Sequence, residues 1–162
     1  MITPVTTPDA IARVADLAGT IWREHYTPII GAAQVDYMLA RFQSADAVAA
    51  QIRDEGYRYY LLQESGEAIG YMAARQRGSL LFVSKLYLLC TRRGRGYSRE
   101  ALAFLASLAR EMGCDRLELT VNKHNAGSIA AYEKLGFERC EAIVQDIGGG
   151  FVMDDYVMRR RL

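Results

Sequence analysis

The sequence predicts a mixed α/β fold: a single domain with a twisted, mainly antiparallel sheet, a central parallel pair of strands, and helices on both faces. Three observations support this prediction. Apolar residues recur at helical spacing through residues 8–55. Strand-like runs separated by short polar turns follow, which is typical of antiparallel hairpins. A strand–helix–strand unit then spans residues 80–121, and such a unit normally joins parallel neighbours through a right-handed crossover.

The composition is that of a soluble globular protein. A chain of 162 residues with 51% apolar residues predicts one domain, 1–162, with a core of its own. The net charge of +1 provides no general attraction to nucleic acid or to a membrane. The N-terminus lacks the pattern of a signal peptide, and no apolar run is long enough to span a bilayer.

The cysteines predict a reducing environment. Cys90, Cys114 and Cys140 are odd in number and have no paired spacing, so we expect free thiols in a cytoplasmic protein, with neither a disulfide frame nor a bound metal. Cys90 follows an apolar strand, and we expect it to be a buried structural thiol rather than a nucleophile.

The first part of the chain, residues 1–56, is predicted to be helical after a short strand. Thr7 is a suitable N-cap, and Pro8 suits the first turn of a helix. Pro28 and Gly31 are expected to break this first helix. We expect helices over residues 8–25, 33–42 and 45–55.

From residue 57 the apolar period changes to that of strands. The turns between them are rich in Gly and polar residues, and Gly148-Gly149-Gly150 joins the last two. We expect strands over residues 58–63, 68–76, 80–89, 116–121, 138–146 and 151–159, and helices after the third and fourth of these.

The turn after the third strand reads Arg93-Gly94-Arg95-Gly96-Tyr97-Ser98 and opens a helix. The first turn of a helix has unpaired N–H groups and a positive dipole end. Glycine lets an anion approach those groups, and arginine adds charge and paired donors. The loop therefore predicts a pyrophosphate site; the alternative is a tight turn with solvated arginines.

Three kinds of phosphate loop compete for this segment. A P-loop ends in Gly-Lys-Ser/Thr, which is absent. A dinucleotide fingerprint needs a small residue where Arg99 stands and an acidic residue at the end of the next strand, whereas Glu118 lies inside it. The third kind is the acetyl-CoA loop of the GNAT superfamily of N-acetyltransferases, Gln/Arg-x-x-Gly-x-Gly/Ala. Residues 93–98 resemble it, with Ser98 in the final small position.

A second segment also resembles this superfamily. Asn125 opens a short helix that carries Tyr132 and ends in Leu135-Gly136-Phe137. Both motifs occur in order, separated by one strand, and the resemblance covers about residues 57–156. It implies a cofactor-binding core over 57–162 and a helical substrate-side region over 1–56.

The resemblance also implies which residues do what. Acetyl-CoA is the implied cosubstrate, with no metal. The implied cofactor-binding residues are Leu88, Leu89, Cys90, Arg93, Gly94, Arg95, Gly96, Tyr97, Ser98, Asn125, Ser128 and Tyr132. When an amine attacks a thioester, the carbonyl oxygen gains negative charge, which the Leu88 N–H stabilises if the strand splays there. Tyr132 is the implied general acid for the departing thiolate; its alternative is a packed aromatic residue.

The acceptor side is less defined. Many members of the superfamily have a Glu on the strand before the loop, but Ser84–Leu88 contains no carboxylate. A water chain, Glu24, Asp36, Asp154 and Asp155 remain as routes for the amine proton. Candidate acceptor-side residues are Glu24, His25, Tyr26 and Asp154.

Three functions remain open. The first is an acetyl-CoA-dependent N-acetyltransferase that acts on a small amine or a peptide amine in a ternary complex. The second is a non-catalytic acyl-CoA sensor. The third is RNA binding through Arg92–Arg99, which the near-neutral charge disfavours. We therefore expect an amine as the partner, no nucleic acid and no membrane, with a homodimer possible.

Overall fold

The computed structural model describes all 162 residues and contains one seven-stranded sheet. Its strands are β1 (Ile2–Pro4), β2 (Arg58–Glu64), β3 (Glu67–Arg77), β4 (Leu80–Leu88), β5 (Arg116–Asn122), β6 (Glu138–Gly148) and β7 (Phe151–Arg161). The order across the sheet is β1-β2-β3-β4-β5-β7-β6. Only β4 and β5 are parallel; every other neighbouring pair is antiparallel. The predicted fold class is confirmed.

The helices are α1 (Pro8–His25), α2 (Thr27–Ile30), α3 (Ala32–Phe42), α4 (Ala45–Asp54), α5 (Tyr97–Glu111) and α6 (Ala126–Lys134), with a 3₁₀ turn over Cys90–Arg92. Thr7 caps α1 as predicted: its hydroxyl accepts from the Ala10 N–H at 3.2 Å. The first helix ends at His25, before Pro28 and Gly31, as predicted. Pro28 lies in the first turn of the short helix α2, where its missing N–H has no helical partner to lose.

The helices cover both faces of the sheet, and each face has its own apolar core. On one face α5 and α6 pack on β2–β5, around residues such as Met72, Leu105 and Leu117. On the other face α1, α3 and α4 pack on β2 and β3, around Ile21 and Tyr71. Strand alternation divides the side chains between the two cores.

The parallel pair diverges halfway along its length. Pairing between β4 and β5 covers only Leu80–Val83 against Arg116–Leu119. At that point the β3–β4 register shifts, from Ala74 opposite Val83 to Ala73 opposite Lys85, so Ser84 is an extra residue. A bulge of this kind bends its strand and increases the local twist. Residues 84–88 of β4 therefore lie beside a wedge-shaped opening towards β5.

Leu88 directs its amide group into that opening. The neighbouring Leu89 N–H donates to Ile69 O at 2.9 Å, on the β3 side. Successive N–H groups of a strand point to opposite sides, so the Leu88 N–H points away from β3. Gly70 stands opposite Leu88 in the register. A Cβ at Gly70 would lie 2.4 Å from Tyr87 O and 2.7 Å from Leu88 Cδ2, so only glycine allows this approach.

The β6–β7 turn is attached to α3. The hairpin tip, which we define as residues 147–152, receives two hydrogen bonds of 2.8 Å, one from Tyr37 Oη to Ile147 O and one from Gln34 Nε2 to Val152 O. A Cβ at Gly149 (φ +63°) would lie 2.9 Å from the Tyr37 ring. The glycine turn thus lies flat against α3.

Two further predictions concern single features. Cys90 is exposed, so its expected burial is wrong; β4 ends at Leu88, and Cys90 begins a surface turn. Cys114 is buried and Cys140 is exposed. The longest helix, α1, is amphipathic, and no helix combines the length and apolar character needed to cross a bilayer.

Candidate active site

A cleft of about 340 Å³, here called the main cleft, lies beside the splayed strands. It lies between the ends of β4 and β5, the loop that precedes α5, and the start of α6. Seven of the residues predicted to bind the cofactor line it: Leu88, Arg93, Gly94, Ser98, Asn125, Ser128 and Tyr132. The other five, Leu89, Cys90, Arg95, Gly96 and Tyr97, do not line it.

The loop before α5 has an open helix N-terminus. Gly96 is the N-cap in the left-handed conformation, with φ 85°, and no side chain caps the first turn. Gly94 also has a positive φ, 74°. A Cβ at either glycine would meet no atom within 4 Å, so the requirement for glycine is conformational. The first-turn N–H groups are therefore available to an anion.

The arginines of this loop have different partners. Arg92 lies 3.3 Å from Glu64 and 3.6 Å from Glu67, so it ties the loop to the β2–β3 turn. Arg93 instead donates to Leu88 O at 3.3 Å and contacts His25 Nδ1 at 3.0 Å. Arg93 is thus directed into the main cleft, while Arg92 is engaged by carboxylates.

His25, a predicted acceptor-side residue, also lies in the main cleft beside Arg93. Partial burial and the positive charge of Arg93 lower the pKa of His25, and the nearby polar side chain of Asn125 opposes part of this. The imidazole is therefore neutral at pH 7 and can accept from the guanidinium. Its position links it to the Arg-Gly loop.

Asn125 and Tyr132 face the same cleft from α6. The Asn125 Oδ1 accepts from the Ser128 N–H at 3.4 Å, while its buried Nδ2 has no partner in the protein. The Tyr132 ring packs against Phe137 with centroids 5.7 Å apart. Burial, with a smaller contribution from Tyr26, raises the pKa of Tyr132 well above its usual 10. The phenol therefore keeps its proton at physiological pH.

A smaller cavity of about 70 Å³, here called the α1–α3 cavity, opens on the opposite face of the sheet. Its lining is mostly apolar and contains one ionisable acid. The lining residues are Trp22, Tyr26, Ile30, Gln34, Met38, Ser84, Tyr87, Thr120, Val121, Asn122, Met153 and Asp155. Tyr26, Ser84, Tyr87, Thr120 and Val121 also line the main cleft, so the two spaces meet through the splay.

The predicted acceptor-side residues are not gathered in one place. Tyr26 lines both spaces. Glu24 is exposed on α1 and lines neither. Asp154 also lines neither; it pairs with Lys123 at 2.5 Å. The neighbouring Asp155 lies in the α1–α3 cavity instead, because β7 alternates its side chains between the two faces.

Tyr87 and Trp22 are site residues that sequence reasoning missed. Their rings form a cluster with Tyr26: Trp22 lies 4.4 Å from Tyr26 and 5.4 Å from Tyr87, centroid to centroid. The alternation of β4 carried a signal for Tyr87. Leu86 and Leu88 pack on the α5 side, which assigns Tyr87 to the opposite face.

Comparisons with known proteins agree with this geometry. The sequence model described as the Acetyltransferase (GNAT) family matches residues 19–137. YycN, an uncharacterized N-acetyltransferase of Bacillus subtilis, is 40% identical over 52 residues, which cover 32% of this chain and 33% of YycN. YjgM, an uncharacterized N-acetyltransferase of Escherichia coli, is 29% identical over 90 residues, covering 53% of this chain and 54% of YjgM. The chain thus spans between a third and about half of these relatives' lengths.

Solved structures share the whole fold. The PaiA N-acetyltransferase of Thermoplasma acidophilum, solved in complex with coenzyme A, superposes with a TM-score of 0.81 at 15% identity, over 100% of this chain and 99% of that one. The ribosomal-protein-S18-alanine N-acetyltransferase of Escherichia coli gives 0.73 at 18% identity, over 99% and 92%. The family match covers most of the chain, and the fold agrees from end to end. The protein belongs to the GNAT acetyltransferase family.

Proposed function

We propose that the protein transfers an acetyl group from acetyl-CoA to a primary amine, by direct attack within a ternary complex. The observation that carries this proposal is the splay of β4 from β5. It leaves the Leu88 N–H facing an opening that has the Arg-Gly loop at one end and the Tyr132 phenol beside it. This arrangement suits acetyl-CoA, whose phosphates would bind at the Arg-Gly loop while its thioester carbonyl lies beside the Leu88 N–H.

The cofactor is proposed to bind along the main cleft. Its pyrophosphate suits the uncapped first turn of α5 together with Arg93 and the exposed Arg95. Backbone groups of residues 88–90 would pair with the pantetheine arm as an added strand does. The free Nδ2 of Asn125 offers a further donor. The PaiA neighbour was solved in complex with coenzyme A, which supports an acyl-CoA as the ligand.

The proposed chemistry needs a donor for the oxyanion and an acid for the sulfur. The amine nitrogen forms a bond to the thioester carbon, and the Leu88 N–H stabilises the charge on the carbonyl oxygen. As the carbon–sulfur bond breaks, Tyr132 gives its proton to the thiolate. The raised pKa of Tyr132 keeps the phenol protonated until that moment. The products are an acetamide and free coenzyme A.

The other two functions receive less support. A non-catalytic sensor does not require Tyr132 in the cleft or a connected cavity on the far side of the sheet. RNA binding would draw on Arg92–Arg99, yet Arg92 is already paired with Glu64 and Glu67.

Thermal-shift measurements followed by a thiol-release assay test the proposal. Acetyl-CoA and coenzyme A should raise the melting temperature, because they bind only the folded protein, and a short RNA should not. Acetyl-CoA should then release free thiol only when an accepted amine from a broad panel is present. Stabilisation by acetyl-CoA without release by any amine would favour the sensor instead.

A further inference from the structure

The α1–α3 cavity contains a buried carboxylate without a partner. Asp155 is only 3% exposed, and no ion pair or side-chain hydrogen bond within the protein engages its carboxylate. A buried carboxylate is costly unless a donor or a cation satisfies it. Asp155 lines the cavity wall, so a ligand in the cavity can be that partner.

The rest of the cavity favours a ligand whose ammonium group is attached to an apolar hydrocarbon chain, here called its stem. Trp22, Met38 and Met153 provide apolar walls, and the lining contains no lysine or arginine. The nearest cation, Lys123, is held by Asp154 at 2.5 Å. A carboxylate on the carbon that bears the amine would therefore find no counter-charge, and it would lie close to Asp155.

The size and closure of the cavity limit the stem. At about 70 Å³ the cavity has about a fifth of the volume of the main cleft, so it admits a stem of only a few carbon atoms. The hairpin tip is fixed to α3 by the bonds from Gln34 and Tyr37, and this contact borders the cavity beside Gln34. A polypeptide continuing past its first residue would meet this contact.

From these observations we propose that the α1–α3 cavity is the acceptor site for a small primary amine on a short apolar stem without a neighbouring carboxylate, and that Asp155 accepts the ammonium proton. The inference rests on the acetyltransferase activity proposed above. The bound ammonium gives one proton to Asp155, and the free amine then attacks the thioester through the splay. The carbon–sulfur bond of the tetrahedral intermediate breaks as Tyr132 protonates the sulfur, and the second N–H proton returns to the Tyr132 phenolate. Asp155 then releases its proton to solvent, so that the thiol, the amide and one released proton balance the reaction.

The electrostatics of Asp155 suit this role. Burial, and then the negative charge of Asp154, raise its pKa to about 6, and Lys123 opposes them. The groups that α1 and α3 contribute to the cavity are uncharged, and the phenols of Tyr26 and Tyr87 remain protonated because burial raises their pKa. Asp155 is therefore ionised at pH 7, while it is a stronger base than an exposed aspartate.

The test compares Asp155→Asn with Asp154→Asn, using isobutylamine, valine and a trialanine amide as acceptors. Valine differs from isobutylamine by its carboxylate alone. For the wild type we expect isobutylamine to be acetylated at least tenfold more efficiently than either other acceptor. Asp155→Asn should lower kcat/KM for isobutylamine by about 10²-fold or more and should leave the thermal shift by acetyl-CoA unchanged. It should also abolish the acidic limb of the pH profile.

The matched variant gives a different signature. Asp154→Asn should keep kcat/KM within about threefold and should move the acidic limb to lower pH, because it removes the like charge beside Asp155. A second variant, Ile30→Ala, enlarges the cavity without touching Asp155 and should shift preference towards hexylamine.

The outcomes separate the two proposals. If no amine releases thiol in the wild type, the acetyltransferase proposal itself fails. If the wild type is active but Asp155→Asn matches it, or valine or the peptide is the better substrate, only the acceptor-site inference is overturned. Should Asp155→Asn not fold, an unchanged amine preference in Ile30→Ala would overturn it as well.

Discussion

The two faces of the sheet are built differently. The hydrophobic core on the α5 side is the larger one, with 20 buried residues against 14 on the opposite side. Three of the buried polar residues, Gln43, Lys85 and Asp155, lie instead on the side of α1, α3 and α4. The α5 side of the sheet is thus mainly an apolar scaffold, and the groups proposed to bind the cofactor lie at its rim, in the loop before α5 and on α6.

Under the proposed function, this difference assigns specificity for the acceptor to the side of α1, α3 and α4. A cofactor shared by a whole family can be held by helix ends, glycines and backbone strands. An acceptor must be distinguished by side chains, and those lie on the face where polar groups are buried at a cost. Variants on one face should therefore change cofactor binding, and variants on the other should change acceptor use or the stability of the helical layer.

The largest effect is expected for Tyr132→Phe, at the junction of the two faces. It keeps the ring against Phe137 and removes only the acidic proton. kcat should fall by about 10²-fold or more, with little change in acetyl-CoA affinity. Because the pKa of Tyr132 is raised, wild-type kcat should show no loss from phenol ionisation up to about pH 10.

Tyr60→Phe is the matched control, since Tyr60 lies in the α5-side core next to Phe104 and outside the cleft. It should retain wild-type kcat. A Tyr132→Phe enzyme with near-normal turnover would assign Tyr132 to packing alone.

The second largest effect is expected for acetyl-CoA affinity, in a variant on the cofactor side of the sheet. Arg93→Ala should raise the Kd for acetyl-CoA by about 10- to 100-fold, the loss of a charge-assisted hydrogen bond of about 1.5–3 kcal/mol. Removing this charge should also bring the pKa of His25 back towards its usual value, which NMR titration can follow. Arg110→Ala, at the far end of α5, controls for the loss of charge. Equal affinity in both variants would contradict the phosphate site.

A smaller effect should appear on the opposite face, in stability rather than activity. Lys85 Nζ donates to Gln51 Oε1 at 2.7 Å and to the Tyr59 hydroxyl, and burial lowers its pKa to about 7, with Glu55 opposing. Between about pH 7 and the usual value near 10.4 the unfolded chain therefore binds more protons than the folded one. The free energy of unfolding should rise with pH, by up to about 1.4 kcal/mol per pH unit.

Urea unfolding between pH 7 and 9 measures this slope. Lys85→Met should flatten it, whereas Lys134→Met, at an exposed position, should leave it as in the wild type. A slope that persists in Lys85→Met would have to come from another group.

The smallest effect is expected for the exposed thiols. Cys90→Ser combined with Cys140→Ser should leave kcat unchanged, because direct transfer forms no acyl-enzyme and neither thiol lines the main cleft. Mass spectrometry after incubation with acetyl-CoA alone should show no added acetyl group. A stoichiometric adduct on Cys90 would contradict direct transfer.

The same comparison explains what the sequence could reveal. The scaffold face could be predicted because its elements are contiguous: the strand, Arg-Gly turn and helix of residues 80–111 and the segment 125–137 each carry a local pattern. The hairpins and the one crossover predicted the antiparallel neighbours and the parallel pair, whereas the place of β7 between β5 and β6 was not predicted. These segments could be predicted because the structure that each one favours locally is the structure that it adopts in the fold.

The acceptor face could not be predicted in the same way. The α1–α3 cavity combines Trp22, Met38 and Asp155, which are far apart in the chain and have no local motif in common. Asp154 and Asp155 are adjacent, and only the register of β7 against β5 decides which of them faces the cavity. A slip of one residue would exchange them, and sequence patterns locate strand ends only to within a few residues.

Gly70 connects the sheet to the proposed chemistry in a way that a mutational scan would detect. It lies behind β4 and lines neither the main cleft nor the α1–α3 cavity, yet any side chain there would collide with Tyr87 O and the Leu88 side chain. Selection for activity should then rank Gly70 among the least tolerant positions, beside residues that handle the substrates. Variants at Gly70 should also be rescued poorly by stabilising changes elsewhere, since added stability cannot return the displaced amide of Leu88 to its place.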